Sequence, residues 1–185
     1  MQIRKAKIAD AKCMAKLHID VWQAAYKGIM PDVLLDNMDL HSYEQGWFNT
    51  LKSPGKGRYL VALLGEEIIG FATFGPARNK IIEATNPAEL VAINVSPDYW
   101  REGIGSKLLL SIIDNVKLSY ESLYLWVAEK NTRAVSFYEN FGFIHDGKTK
   151  TDQSHGDIVE LLYVAKLSVL SDILVAKSRL LSKVE

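Results

Sequence analysis

The stretch that most limits what this chain can fold into is Leu90-Val91-Ala92-Ile93-Asn94-Val95. It is a near-continuous apolar run that leads through Ser96-Pro97-Asp98-Tyr99 into the loop Trp100-Arg101-Glu102-Gly103-Ile104-Gly105. Such a run, bounded by turn residues, is expected of a strand covered on both faces. Beyond the loop, Leu108, Leu109, Ile112, Ile113 and Val116 recur at helical spacing, and Leu123-Tyr124-Leu125-Trp126-Val127 then reads as a further strand. Strand, loop, helix, strand is a βαβ unit, and the rest of the chain has to be fitted around it.

Ahead of that unit, Ile3 to Ile8 reads as a first strand, and Asp10 offers an N-cap to a helix carrying Met14, Leu17, Val21 and Ala24. A weaker helical stretch follows Pro31, through Leu35 and on to Trp47, Phe48 and Leu51, and stops at the turn Ser53-Pro54-Gly55-Lys56-Gly57. Tyr59 to Leu64 and Ile68 to Phe74 are two β-rich segments around Gly65-Glu66-Glu67, a hairpin. After the βαβ unit, Asn131 caps a helix through Ala134, Val135, Phe137, Tyr138 and Phe141, with Gly142 in the C-terminal capping position. Strands around Phe143 to Lys148 and Ile158 to Val164 flank a polar turn at Asp152 to Gly156. The order β-α-α-β-β-β-α-β-α-β-β predicts an α/β chain with a mixed sheet and helices packed against it. Residues 1–167 are expected to form one domain. Residues 168–185 are expected to be a helical extension, in which Leu170, Leu174, Leu181 and Val184 continue a stripe begun at Leu167 and interrupted by Lys177. A stripe of that kind packs on its own domain or on a partner's, which allows a homodimer.

Charge narrows the partners. Lysine plus arginine equals aspartate plus glutamate at 22 each, so no net field draws the molecule to nucleic acid or to an anionic membrane, and any anion site must be local. No apolar run reaches the length of roughly 18 residues that a bilayer span requires. The single cysteine, Cys13, excludes an intramolecular disulfide, and the start Met-Gln-Ile-Arg-Lys lacks the apolar core of a signal peptide; the cytoplasm is the expected compartment. Cys13 reads as a small core residue of the first helix. His18, His41, His145 and His155 lack metal-ligand spacing, so no metal is expected, and surface or capping roles are assigned to them.

The loop itself can bind an anion. A helix start leaves backbone N–H groups without intrahelical partners, and these amides together with the helix dipole favour a phosphate. Gly103 and Gly105 let that phosphate approach the main chain. Gly-x-Gly alone serves turn geometry more often than ligand binding. Here no third glycine completes a dinucleotide fingerprint, and no Gly-Lys-Ser/Thr completes a P-loop.

With Ala88 to Val95, Pro97 and Gly103-Ile104-Gly105 in place, the segment resembles the coenzyme A motif of the GNAT superfamily of acetyl-CoA-dependent N-acetyltransferases. Asn131-Thr132-Arg133-Ala134-Val135-Ser136-Phe137-Tyr138-Glu139-Asn140-Phe141-Gly142-Phe143 is similar to that family's downstream helix, at the usual separation. The resemblance spans roughly residues 2 to 167. It implies a central, mixed, mostly antiparallel and twisted sheet of about seven strands flanked by helices. It also implies acetyl-CoA as co-substrate and a primary amine as acceptor: a small molecule, a polyamine or a peptide N-terminus. Family members usually carry Gln or Arg where this chain has Trp100, with Arg101 beside it as the substitute.

The resemblance assigns Trp100, Arg101, Glu102, Gly103, Ile104, Gly105 and Ser106 to the pyrophosphate, and the strand edge at Ile93, Asn94 and Val95 to the pantetheine amides. Asn131 is placed near the pantetheine arm, a role compatible with capping its helix. Tyr138 is placed near the coenzyme sulfur, which it can protonate; by spacing alone it is one more aromatic of a core-facing stripe. Glu89 is placed as the general base acting on the amine through water, against the plain reading of a solvated strand-end carboxylate. Trp22 and Tyr26 border the acceptor pocket, or simply pack together four residues apart on one helical face. A second class of function stays open, an acyl-CoA-binding sensor or partner-binding module without turnover.

Overall fold

A computed structural model describes residues 1–78, 86–170 and 172–173. The described residues form one seven-stranded sheet in the order β1-β2-β3-β4-β5-β7-β6. Its strands are β1 (Gln2–Lys5), β2 (Arg58–Leu64), β3 (Glu67–Pro76), β4 (Pro87–Val95), β5 (Ser122–Ala128), β6 (Ile144–Asp152) and β7 (Ile158–Lys166). Every neighbouring pair is antiparallel except β4 with β5. The expected mixed, mostly antiparallel architecture is therefore the observed one.

Helices α1 (Ala11–Ala25), α2 (Asp32–Asp36), α3 (Leu40–Lys52), α4 (Ile104–Val116) and α5 (Thr132–Glu139) cover the sheet. The single weak helix expected after Pro31 is two helices, because the Asp39 side chain accepts a hydrogen bond from Ser42 N at 2.8 Å and starts α3 afresh. On one face of the sheet, α1 and α3 enclose Met14, Leu17, Val21, Val61, Leu63 and Phe71. The larger cluster includes Ile104, Leu108, Leu109, Ile112, Ile113 and Val116, all buried along α4. Each of these aliphatic side chains contributes about 1.5–3 kcal/mol on burial, so the helix is anchored along its length and the loop ahead of it is held at a fixed place.

Several expectations are corrected. Asp10 makes no side-chain cap to α1; it is buried and held by Arg4 through two hydrogen bonds of 2.6 and 2.9 Å, with Lys7 N as a third donor at 2.7 Å. Cys13 is exposed, on the outer face of α1, and is not a core residue. His18 is neither surface nor cap. It is packed among Trp22, Tyr43, Trp47 and Phe71, with both ring nitrogens buried. Asn131 does cap α5, its Oδ1 accepting from Ala134 N at 3.2 Å, and Gly142 takes the left-handed conformation, φ 86°, that ends it.

The chain turns helical again at 167–170, and Leu167 and Leu170 are buried in the main core. This start of the C-terminal stripe thus packs on its own domain; Leu174, Lys177, Leu181 and Val184 lie outside the described residues, as does 79–85 of the connection before β4.

Two features of β4 shape the site. Between β3 and β4 the register passes from Thr73↔Ala92 to Phe74↔Leu90, which leaves Val91 as an extra residue, a β-bulge that bends the strand. Between β4 and β5 the pairing runs only from Pro87↔Ser122 to Glu89↔Tyr124. Past Glu89 the two strands part, and Leu90–Val95 presents a backbone edge without a strand partner on that side.

Candidate active site

The parting of β4 and β5 opens a cleft of about 710 Å³. Apart from Glu102, every residue assigned from the sequence to catalysis, coenzyme or acceptor lines it: Trp22 from α1 and Tyr26 at its end, Glu89 and Ile93–Val95 from β4, Trp100, Arg101 and Gly103–Ser106 from the loop and α4, Asn131 capping α5 and Tyr138 within it. One side of the cleft carries the open edge of β4 and the loop with Arg101 and Arg133. The other is aromatic and mixed in charge.

On the first side, Arg101 and Gly103 both have left-handed backbones, φ 69° and 77°, so the loop turns its amides towards the start of α4. Gly103 is required by that conformation, and a Cβ there would meet open space. Gly105 differs: a Cβ there would touch Phe137 and Val95 at ordinary van der Waals distances, so its smallness serves the packing of α4 on α5 more than the approach of a ligand.

Trp100, the residue that departs from the family pattern, has a structural role. Its Nε1 donates to the Val95 carbonyl at 2.7 Å, tying the loop to the end of β4, and the Arg133 guanidinium lies over its ring at 3.2 Å from the centroid. Burial, followed by the charge of Arg101, lowers the Arg133 pKa. Neither arginine forms an ion pair among the described residues, so two cations and the α4 amides converge where no protein carboxylate answers them. One lone pair of the Val95 carbonyl is already engaged by Trp100, which leaves Ile93 and Asn94 as the freer part of the open edge. Trp100→Ala removes the platform under Arg133 and the tie to β4; the affinity for inorganic pyrophosphate measured by calorimetry is expected to fall about 10-fold, within the range of a desolvated cation–π contact. Arg133→Ala is expected to lower it similarly, and the double variant less than additively.

At the vertex of the cleft Glu89 is buried and ionised. Burial opposes its charge, but Arg78 outweighs that: Nε and Nη2 donate to the two carboxylate oxygens at 2.9 and 2.6 Å and the Arg78 amide adds a third contact at 3.2 Å, so the pKa is lowered overall. Tyr124, opposite Glu89 across the last paired position, is fully buried, and burial followed by the neighbouring carboxylate pushes its hydroxyl up to about 12. Tyr138 is buried on α5 and packs edge-on against Phe137 and Phe143. Burial, and then the nearby Tyr26, hold its pKa far above the usual tyrosine value, so it is a neutral hydroxyl that keeps its proton until a stronger base appears.

On the second side, Trp22 and Tyr26 do pack together, ring centroids 5.1 Å apart, and both line the cleft. Across from them Trp126, Lys150, Asp152, His155 and Glu160 come from β5, β6, β7 and the turn between the last two strands. Lys150 pairs with Glu160 at 2.9 Å and lies over the Trp126 ring at 4.5 Å. These residues, with Arg78 and Arg133, were not assigned from the sequence. Arg133 sits two places after the capping Asn131, inside a motif already recognised. Asp152 and His155 lie three apart in a turn, a spacing too common to mark a site by itself.

The Acetyltransferase (GNAT) family model matches residues 20–143. An uncharacterized N-acetyltransferase of Bacillus subtilis, YuaI, is 30% identical over 141 residues, covering 75% of this chain and 78% of that protein. A probable N-acetyltransferase of Mycobacterium tuberculosis is 32% identical over 153 residues, 82% of this chain and 84% of that one. Among solved structures, the PaiA N-acetyltransferase of Thermoplasma acidophilum in complex with coenzyme A superposes with a TM-score of 0.67 at 25% identity, over 87% of this chain and 96% of that one. With the family match spanning the splayed strands, the glycine loop and α5, this chain belongs to the GNAT acetyltransferase family.

Proposed function

We propose that the protein transfers the acetyl group of acetyl-CoA to a primary amine, a small molecule, a polyamine or a peptide N-terminus, by direct attack within a ternary complex. The observation that carries this reading is the open edge of β4 leading into a loop where the α4 amides, Arg101 and Arg133 meet without a counter-anion. A chain of amides needs an edge of backbone donors and acceptors, and a pyrophosphate needs converging donors; the cleft supplies the two in sequence along one line.

In this reading the coenzyme is held by residues 93–95, 100–106 and 131. Arg101 and Arg133 supply the charge, and Tyr138 gives its proton to the departing thiolate. Trp22 and Tyr26 form a wall of the acceptor pocket. Glu89 holds Arg78 at the vertex; its carboxylate oxygens are spent on that pair, which lowers its fitness as proton acceptor. The exposed thiol of Cys13 suits a reducing, cytoplasmic setting.

Thiol release from acetyl-CoA, followed with a panel of alkyl amines, polyamines and peptides with free N-termini, tests the proposal. Turnover with at least one class is the expected result. Tight acetyl-CoA binding with no release from any amine would instead establish the binding-module reading.

A further inference from the structure

Resting on the acetyltransferase reading above, we propose that His155 is the group that takes the proton from the acceptor amine, and that Asp152 holds it in the form that can do so. His155 lies in the turn between β6 and β7 and lines the acceptor side of the cleft. Its Nδ1 meets Asp152 Oδ2 at 2.7 Å. Asp152 is further held by Ser154, whose amide and hydroxyl donate to Oδ1 at 3.0 and 2.6 Å. A carboxylate on Nδ1 fixes the tautomer with the proton there, and leaves the Nε2 lone pair, which has no partner among the described residues, as the basic site.

The ring is also fixed from the other side. It stands edge-on to Trp22 with centroids 5.0 Å apart. The turn bearing it is pressed onto the loop after α1: Gly156 has φ 84°, and a Cβ there would collide with the Pro31 ring. Tyr26 lies within electrostatic reach of Glu160, Asp152 and Tyr138. The Asp152–His155 pair and Tyr138 line the same cleft as Tyr26, an arrangement suited to a base for the incoming nitrogen and an acid for the leaving sulfur. The charged and titratable groups around His155 are His18 of α1, Tyr26 at its C-terminal end, Lys150 and Asp152 of β6, and Glu160 of β7, with Glu89 at the vertex committed to Arg78.

The step balances. His155 Nε2 takes one proton from the ammonium form of the acceptor. The freed lone pair forms the C–N bond at the thioester carbonyl as the C–S bond breaks. The Tyr138 proton goes to the sulfur, the second amine proton restores Tyr138, and His155 returns its own proton to solvent. The products are the amide, the free thiol and one proton.

His155→Gln is expected to lower kcat with alkyl amines and N-terminal peptides by about 100- to 1,000-fold at neutral pH, the usual worth of a positioned base. The acetyl-CoA affinity should stay unchanged. Hydroxylamine, a weakly basic nucleophile already neutral at that pH, should lose less than about 10-fold, since no proton has to be taken before attack. Asp152→Asn should reproduce the alkyl-amine defect in milder form. His155→Asn run in parallel guards against a folding failure of one substitution, with acetyl-CoA binding reporting the fold. A His155→Gln enzyme within about threefold of wild type on alkyl amines, or one equally impaired with hydroxylamine, overturns the inference while leaving the transferase reading intact. A wild type that binds acetyl-CoA yet releases thiol with no amine overturns both.

Discussion

Tyr138→Phe is expected to lower kcat by about 100- to 1,000-fold, the usual contribution of a positioned general acid, with little change in the affinity for acetyl-CoA. The Tyr138 ring packs edge-on against Phe137 and Phe143 while the residue lines the cleft, and burial followed by Tyr26 holds its pKa far up. Two consequences follow from the sign of that shift. At every pH at which the protein is folded the group is protonated, so the loss should be as large at pH 9 as at pH 7, with no alkaline fall in the wild type traceable to this residue. The phenylalanine keeps the ring and its packing, so stability should change by no more than about 1 kcal/mol, the net value of one hydrogen bond. Rapid-quench measurement of the acetyl-transfer step checks the assignment. An unchanged rate for that step would return Tyr138 to the core stripe as a packing residue only. An acyl donor whose leaving thiol is made less basic, such as an acetyl thioester of an aromatic thiol, should recover much of the loss, because a weaker base needs no proton to depart.

What the sequence discloses of this molecule follows the physics of each feature. The β4–loop–α4 unit was legible because burial on both faces erases alternation, and because five core positions at helical spacing, Leu108, Leu109, Ile112, Ile113 and Val116, admit only one face. The cleft was legible in outline, since Glu89, Ile93–Val95, the glycine loop, Asn131 and Tyr138 all fall in two local motifs that the topology brings together. Its other wall was legible only at Trp22 and Tyr26. Arg78 reaches Glu89 from just beyond β3, and His155 meets Trp22 only because β7 inserts between β5 and β6 and carries the last turn back over α1. Contacts of that sequence separation leave no periodicity. The break at Asp39 was missed for a different reason: a capping aspartate inside a polar stretch looks like any other surface residue until its amide partner is known. Trp100 shows the reverse. Its oddity was visible at once, but its hydrogen bond to Val95 and its stacking with Arg133 required coordinates.

Acid should unfold this protein in a window set largely by His18. The ring is enclosed by Trp22, Tyr43, Trp47 and Phe71, both nitrogens are buried without a partner among the described residues, and burial, followed by the charge of His155, pulls the pKa down to about 4 from an ordinary 6.5. Below pH 6.5 the unfolded chain therefore takes up a proton that the folded state refuses until about pH 4. The stability that depends on this difference is complete above the higher value and is lost as pH falls towards the lower one. Between pH 7 and pH 5 the loss comes to about 2 kcal/mol, and to about 3 kcal/mol by pH 4, large against a total of roughly 5–15 kcal/mol for a domain. His18→Leu, close in volume and unable to titrate, should flatten that part of the curve. Urea midpoints of wild type and variant measured from pH 7.5 to pH 4.5 should diverge from each other as the pH falls, with the variant the more stable at the acid end. Because His18 packs against Trp22, and Trp22 against His155, protonation in this cluster also loosens the wall that the acceptor would meet, so acetyl transfer should fail in acid before the main core around α4 does. Parallel curves for the two proteins would show that the aromatic cluster admits water to the ring and that the acid limit lies elsewhere.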